Sequence, residues 1–350
     1  MHHRQLVIRT VKSIICREAA AIALLTALTT TSASAISISV DYSYDTSNFF
    51  GSGNPNGAIA GAQAKSALDA AAAYYSIILA DTFSAIQKPA NFQSALFDGV
   101  AFWDWTMTFP HPGNASTVNL PNQSIAADEY RIYVGARSLN GSTLGFGGPG
   151  GFVWSSNNNG GGFSAAEINQ LNQIRQSFAD AVEDREEASG FARWGGAISF
   201  DSDASTLWHY SHTTAPTAGT KDFYSVAVHE LGHVLGLGVS DQWQAFATGP
   251  SFTGPAATAE YGGSPPLSPL LGGVRSHWAT GTMSKIFGTN TVQEAAMDPE
   301  LTIGTRKRFT SLDAAALSDI GWTVVTVPEP SSALFAMFGA SVILAARRRR

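Results

Sequence analysis

One segment limits what this chain can fold into. Residues 223–235 read Phe-Tyr-Ser-Val-Ala-Val-His-Glu-Leu-Gly-His-Val-Leu, with Phe223, Val226, Val228, Leu231, Val234 and Leu235 apolar nearly all round a helix. A helix of that kind is buried, and the histidines and glutamate it carries need partners there. At about 3.6 residues per turn His229 and His233 fall on one face, so both imidazoles can reach one ion. Glu230 follows the first histidine directly and can reach a water on that ion without ligating it. The H-E-x-x-H spacing therefore points to a zinc site built for hydrolysis. The competing reading, a surface helix that happens to carry two histidines, fits poorly with such apolar flanks.

Both ends read as address signals. Arg4, Arg9, Lys12 and Arg17 precede an apolar stretch at 19–28 and the small residues Ala33-Ser34-Ala35, the three regions of a secretory signal peptide at 1–35. At the other end, Pro328-Glu329-Pro330 leads into an apolar run at 333–346 and then four arginines at 347–350. As a helix that run spans about 21 Å against a hydrocarbon core of about 30 Å, so by length alone it is a marginal anchor. The order Pro-Glu-Pro, apolar stretch, basic cluster resembles a PEP-CTERM sorting tail over 327–350. The resemblance implies a Gram-negative bacterium, transient association with its inner membrane, and exosortase-type sorting machinery as a partner. The destination implied is extracellular, on the cell surface or in the exopolysaccharide matrix.

Between these signals, residues 36–326 hold 13 Lys and Arg against 25 Asp and Glu, a net charge near −12. That balance argues against nucleic acid or anionic lipid as a partner. The length suits one large domain or two lobes around a cleft. The single cysteine, Cys16, falls in the signal, so the exported part is expected to have neither disulfides nor thiol chemistry.

Alternation at Ile36, Ile38, Val40, Tyr42 and Tyr44 predicts a strand directly after the cleavage site, which leaves no propeptide. Residues 58–87 keep one apolar face through Leu68, Ala72, Tyr75, Leu79, Phe83 and Ile86, predicting a long helix ended by Lys88-Pro89. Strands follow at 100–109 and 129–134. Residues 139–162 are rich in glycine and predict a long exposed crossing. Ser164 and Glu167 have the spacing of a capping box that opens a helix, and 183–187 is an acidic, solvated end. Ile198 and Phe200, after Gly195-Gly196, predict an edge strand. Asp201 and Asp203 behind it either bind calcium, a hard ion that favours spaced carboxylates, or simply start a turn. The sum is an α+β chain with a mixed, twisted sheet and long helices.

Gly195-Gly196-x-x-x-Phe200-Asp201-x-Asp203, then Trp208, then His229-Glu230-x-Gly232-His233-x-Leu235-Gly236-Leu237-Gly238 resembles the core of the metzincin zinc endopeptidases, above all the matrixin branch. The likeness covers about 195–241 and 277–322. It implies a metzincin-like zincin with the active-site helix at a cleft, a catalytic subdomain at 36–238 and a smaller C-terminal subdomain at 239–326. It also implies zinc as cofactor and a protein or peptide substrate paired with an edge strand, here Gly196, Ala197, Ile198, Ser199 and Phe200.

The chain departs from that pattern at one position. Most metzincins carry the third zinc ligand six residues after the second histidine, and here that residue is Val239. Valine cannot bind zinc, and two histidines alone rarely hold a catalytic metal. Asp241 is near but two residues late. His277, in Ser276-His277-Trp278, is the remaining histidine downstream, and a leishmanolysin-like subgroup similarly places its third histidine after an insertion. The stretch with Pro250, Pro255, Pro265, Pro266 and Pro269 resembles such an insertion. His277 is the first candidate, with Asp241 or no third protein ligand as alternatives. The family's methionine turn beneath the zinc falls on Met297, before the turn-forming Asp298-Pro299, with Met283 as its rival. Residues 310–322 predict a closing helix capped by Thr310 or Ser311. His111, His209 and His212 sit in no matching pattern and read as ordinary polar residues.

The implied activity is that of a secreted zinc endopeptidase, in which Glu230 takes a proton from a zinc-bound water and passes it to the leaving amine. The alternative is a non-catalytic surface or matrix protein on a degenerate metzincin scaffold, a reading that Val239 keeps open.

Overall fold

The computed structural model describes residues 36–87, 92–93, 100–158, 163–183 and 193–326. The signal peptide at 1–35, most of the acidic run (184–187) and the sorting tail at 327–350 lie outside the described residues. Eight strands make the two larger sheets: β1 (Ser37–Asp41), β2 (Phe92–Gln93), β3 (Val100–Pro110), β4 (Thr117–Pro121), β5 (Glu129–Arg137), β6 (Gly145–Pro149), β7 (Gly151–Asn158) and β8 (Gly195–Asp201). The first sheet has the order β1-β5-β8-β6. β1, β5 and β8 run parallel, and β6 is antiparallel to β8, so the sheet is mixed. The second is built on β3, which pairs antiparallel with β2, β4 and β7.

The period of two along a strand feeds two cores. Ile132, Val134, Ile198 and Phe200 point into the larger one, beneath the helices, while Tyr133 and Ala197 point the other way to join Trp105, Phe109 and Trp194. There Phe109 stacks on Tyr133 with ring centroids 4.5 Å apart. Strands buried on both faces read as continuous apolar runs, as β5 does.

The helices are α1 (Ala58–Ile78), α2 (Ala165–Glu183), α3 (Phe223–Val234), α4 (Asp241–Phe246), α5 (Pro255–Tyr261) and α6 (Ser311–Asp319). Among the described residues no helix is long and apolar enough to cross a membrane. α1 stops at Ile78 and not at 87. Leu79 bridges to Val324, Ala80 N–H donates to Thr323 O, and Val325 N–H donates to Ile78 O. Phe83 and Ile86 are buried all the same, so their periodic spacing reflects packing outside the helix. Ser164 and Glu167 do form the expected box, with Ser164 N–H and Oγ–H both donating to the Glu167 carboxylate.

Two expectations are corrected by the sheet. The glycine-rich stretch contains β6 and β7, whose pairing uses only backbone and so leaves no side-chain pattern to read. β8 is interior, not an edge: all seven of its residues are buried, and Gly196 to Phe200 are paired with Pro149 to Gly145 of β6. Gly196, Ala197, Ile198, Ser199 and Phe200 therefore cannot pair with a further strand on that side, because β6 already occupies it. The edge on that side of the sheet is β6.

Candidate metal centre

α3 is fixed at both ends. Asp222 caps its start, its carboxylate accepting from Ser225 N–H at 3.0 Å and from Ser225 Oγ–H at 2.6 Å. The same buried carboxylate pairs with the Arg306 guanidinium at 2.7 Å. At the other end Gly236 takes φ 103°, a left-handed turn natural only to glycine. Gly236 N–H donates to His233 O and Leu237 N–H to Gly232 O, the paired bonds of a Schellman motif. This turn also carries Leu237 O back under the helix, where it meets His233 Nδ1 at 2.8 Å. The carbonyls of Val228, Val234 and Leu235 accept from the Tyr75 hydroxyl, the Tyr130 hydroxyl and the Trp322 indole.

On this platform His229 and His233 meet His277. Their Nε2 atoms stand 3.1 to 3.2 Å from one another. His229 Nδ1 lies 2.7 Å from Ala296 O, and a carbonyl can only accept, so that nitrogen holds the proton, as does Nδ1 of His233. Their Nε2 atoms are then lone pairs facing each other 3.1 Å apart, with no proton of their own to share. A cation held by all three Nε2 atoms relieves that repulsion. The spacing fits one: three nitrogens on a tetrahedral zinc at about 2.0 to 2.1 Å sit about 3.3 Å apart. Burial lowers all three imidazoles to about 3, each helped by a neighbouring histidine, so at neutral pH they are in the form that binds metal. Among the described residues no other group of three histidine, cysteine or carboxylate side chains converges in this way.

His277 reaches the helix on one arm of a narrow hairpin. Leu267 bridges Trp278, Ser268 N–H donates to His277 O, and Leu271 and Val274 exchange hydrogen bonds around Gly272 and Gly273 at the tip. Three contacts hold the arm in place. The Trp243 indole donates to Arg275 O at 2.8 Å. The buried Trp278 ring packs on Trp243 and Phe252. Gly238, at φ 80°, lies so close under Ser276 that a Cβ there would stand 2.0 Å from Ser276 O.

Glu230 is buried beside the triad, and burial pushes its carboxyl up to about 8 against the pull of the Gly147 N–H. β6 passes directly over it: a Cβ on Gly145 would fall 2.5 Å from Glu230 Oε1. Met297 lies fully buried beneath α3, close enough that a Cβ on Gly232 would meet its Sδ at 2.7 Å. Met283, its rival, is exposed on a short strand. Asp241 opens α4 on the surface, away from the three imidazoles, and Val239 is 39 % exposed.

The calcium reading of Asp201 and Asp203 finds no support. Asp201 accepts from Leu139 N–H, Asp203 N–H and the Thr206 hydroxyl, and Asp203 from Ser205 N–H. These are the bonds of a loop and a turn, the other role considered for them. His111 accepts from Gly113 N–H and packs edge-on against Tyr44, His209 lies in hydrogen-bond reach of Thr214, and His212 stacks on Tyr224. The partners of the His233 and His229 Nδ1 atoms, Leu237 O and Ala296 O, are backbone atoms that no side-chain pattern could announce. Asp313 was visible only as part of a helix start.

Comparison with known families finds two matches. Residues 170–250 match the family model described as Matrixin, a stretch that holds His229, Glu230 and His233 and stops short of His277. Residues 326–350 match the PEP-CTERM protein-sorting motif. No curated protein and no solved structure matches the chain. The chain is thus matrixin-like over the segment that bears its two helical histidines, and it carries a PEP-CTERM sorting tail.

Proposed function

We propose that this chain is an exported zinc-dependent endopeptidase whose metal is held by His229, His233 and His277. The observation that carries the reading is the convergence of three imidazole Nε2 atoms, two of them with their other nitrogen committed to a backbone carbonyl. Zinc bound there supplies Lewis-acid chemistry, polarising a scissile carbonyl and acidifying water.

The protein's own part is proton handling and alignment. Glu230 takes the proton of the attacking water on its carboxylate and delivers it to the leaving amine nitrogen. Its burial favours holding that proton between the two steps. The outer edge of β6 carries no strand among the described residues, so an extended peptide can add there. This moves the substrate-pairing role from 196–200 to 145–149, directly over Glu230. Met297 supports the helix from below as the methionine of the turn. In this reading residues 36–238 form the catalytic subdomain, 239–326 supply the third ligand, and the two terminal signals account for export and sorting.

Two variants test this. Glu230→Gln should keep one zinc per chain and lose about 10²- to 10⁴-fold of its cleavage of unstructured casein, the usual worth of a general base. His277→Ala should lose the zinc. A His277→Ala protein that still binds zinc tightly would overturn the ligand set. A wild-type protein that binds zinc but never cuts casein would favour the non-catalytic scaffold reading.

A further inference from the structure

Asp313 is a fully buried carboxylate on α6. Two of its donors, Thr310 N–H at 3.0 Å and Thr310 Oγ–H at 2.6 Å, belong to the box that starts the helix. A helix start asks for no more. Three further donors come from the direction of the histidines: the Trp278 indole at 2.8 Å, Ala296 N–H at 2.8 Å and Met297 N–H at 3.2 Å. Trp278 is the residue after His277. Ala296 is the residue whose carbonyl holds His229 Nδ1. Met297 is the side chain beneath Gly232, and its carbonyl accepts from Trp278 N–H. One carboxylate therefore ties together the supports of two imidazoles that lie 48 residues apart in sequence.

We propose that Asp313, acting through Trp278 and the 296–297 turn, is a positioning residue that sets the separation of His229 and His277 and hence the affinity for metal. The inference rests on the zinc reading above. Hydrogen bonds to a charged acceptor are stronger and shorter than neutral ones, so a single anion with donors on two sides fixes both segments against one rigid helix. Groups that orient metal-bound histidines typically change metal affinity by about 10- to 100-fold when removed.

The test uses Trp278→Phe, which keeps an aromatic ring in the Trp243–Phe252 pocket while removing the indole N–H together with part of the ring volume, and Asp313→Asn, which keeps size and removes the charge. Zinc dissociation constants are measured by chelator competition, the ligand geometry by the visible spectrum of the cobalt(II)-substituted protein, and folding by the melting temperature of the metal-free chain. Both variants should bind zinc about 10- to 100-fold more weakly and change the cobalt spectrum. For Trp278→Phe, the metal-free melting temperature should fall by less than the metal-bound one. If Asp313→Asn does not fold, Trp278→Phe decides. Unchanged zinc affinity and cobalt spectrum, with metal-free and metal-bound stabilities lowered alike, would mean that the carboxylate only holds the fold, and would overturn the inference. Failure of the wild-type chain to bind zinc in the same assay would instead sink the zinc reading, and the inference with it.

Discussion

Gly238→Ala is a sharp probe of how the third imidazole reaches the helix. The new Cβ would lie 2.0 Å from Ser276 O, 2.7 Å from Ser276 C and 2.9 Å from Ser276 Cα. All three atoms are backbone, so no side chain can swing aside. Restoring an ordinary 3.4 Å contact to the oxygen requires about 1.4 Å of movement, and His277 is the next residue along. A shift of that size exceeds the roughly 0.5 Å tolerance of a working site. The substitution also places a side chain at φ 80°, which costs about 1–2 kcal/mol by itself. Gly262→Ala separates the two effects, because Gly262 has the same φ of 80° with nothing within 4 Å of its Cβ position. Both variants should lose about 1–2 kcal/mol of metal-free stability to backbone strain in urea unfolding, with any further loss in Gly238→Ala coming from the contact. Only Gly238→Ala should also weaken zinc binding, by about 10-fold or more in a chelator competition. Equal zinc affinity in the two variants would show that the 238–276 contact does not set the position of His277.

Two further outcomes follow from the charges. In the metal-free protein, burial holds the three imidazoles near 3 against 6.5 in the unfolded chain. Between those limits the unfolded chain binds more protons, so the urea midpoint should fall as pH drops from about 6.5 toward 3. Glu230, raised from 4.5 to about 8, has the opposite sign: the folded state binds the extra proton, and stability is lost as pH rises through that window. Glu230→Gln should therefore remove the alkaline-side loss and leave the acid-side one; a midpoint that stays flat from pH 6.5 to 4 would contradict a buried neutral triad. Arg306→Ala would leave Asp222, whose side chain is 0 % exposed, without its cation, at a cost of about 3–5 kcal/mol in urea unfolding. A loss below about 1 kcal/mol would show that the Ser225 donors alone suffice.

What could be read from the sequence was whatever is local. His229, Glu230 and His233 are separated by less than two turns of one helix, so their juxtaposition follows from helical geometry alone. Residues 36–44 announced a strand by alternation, and Ser164 and Thr310 announced helix starts by chemistry. What failed was decided by distant backbone. Three of the five residues of β6 are glycine, and its place at the edge is set by pairing with β8, which no side-chain pattern records. The end of α1 is set by Val324 and Thr323, far along the chain, which compete for the backbone at Leu79 and Ala80. His277 stood out only as a histidine with no other evident use. What brings it to the helix is a glycine contact, two tryptophans and a carboxylate, each of which has a blander explanation when met alone.

His229 and His277 are 48 residues apart, and groups that hold their supports in place come later still, at Ala296, Met297 and Asp313. A site of the H-E-x-x-H-x-x-G-x-x-H kind is complete as soon as one helix and its following turn exist. Here a chain still being made or threaded through a membrane presents two imidazoles and a carboxylate, and two imidazoles hold a catalytic metal poorly. In the reading proposed above, the centre closes only after α6 has been made and docked. Metal binding then arrives with this late stretch of the fold and not with the helix that bears the first two imidazoles.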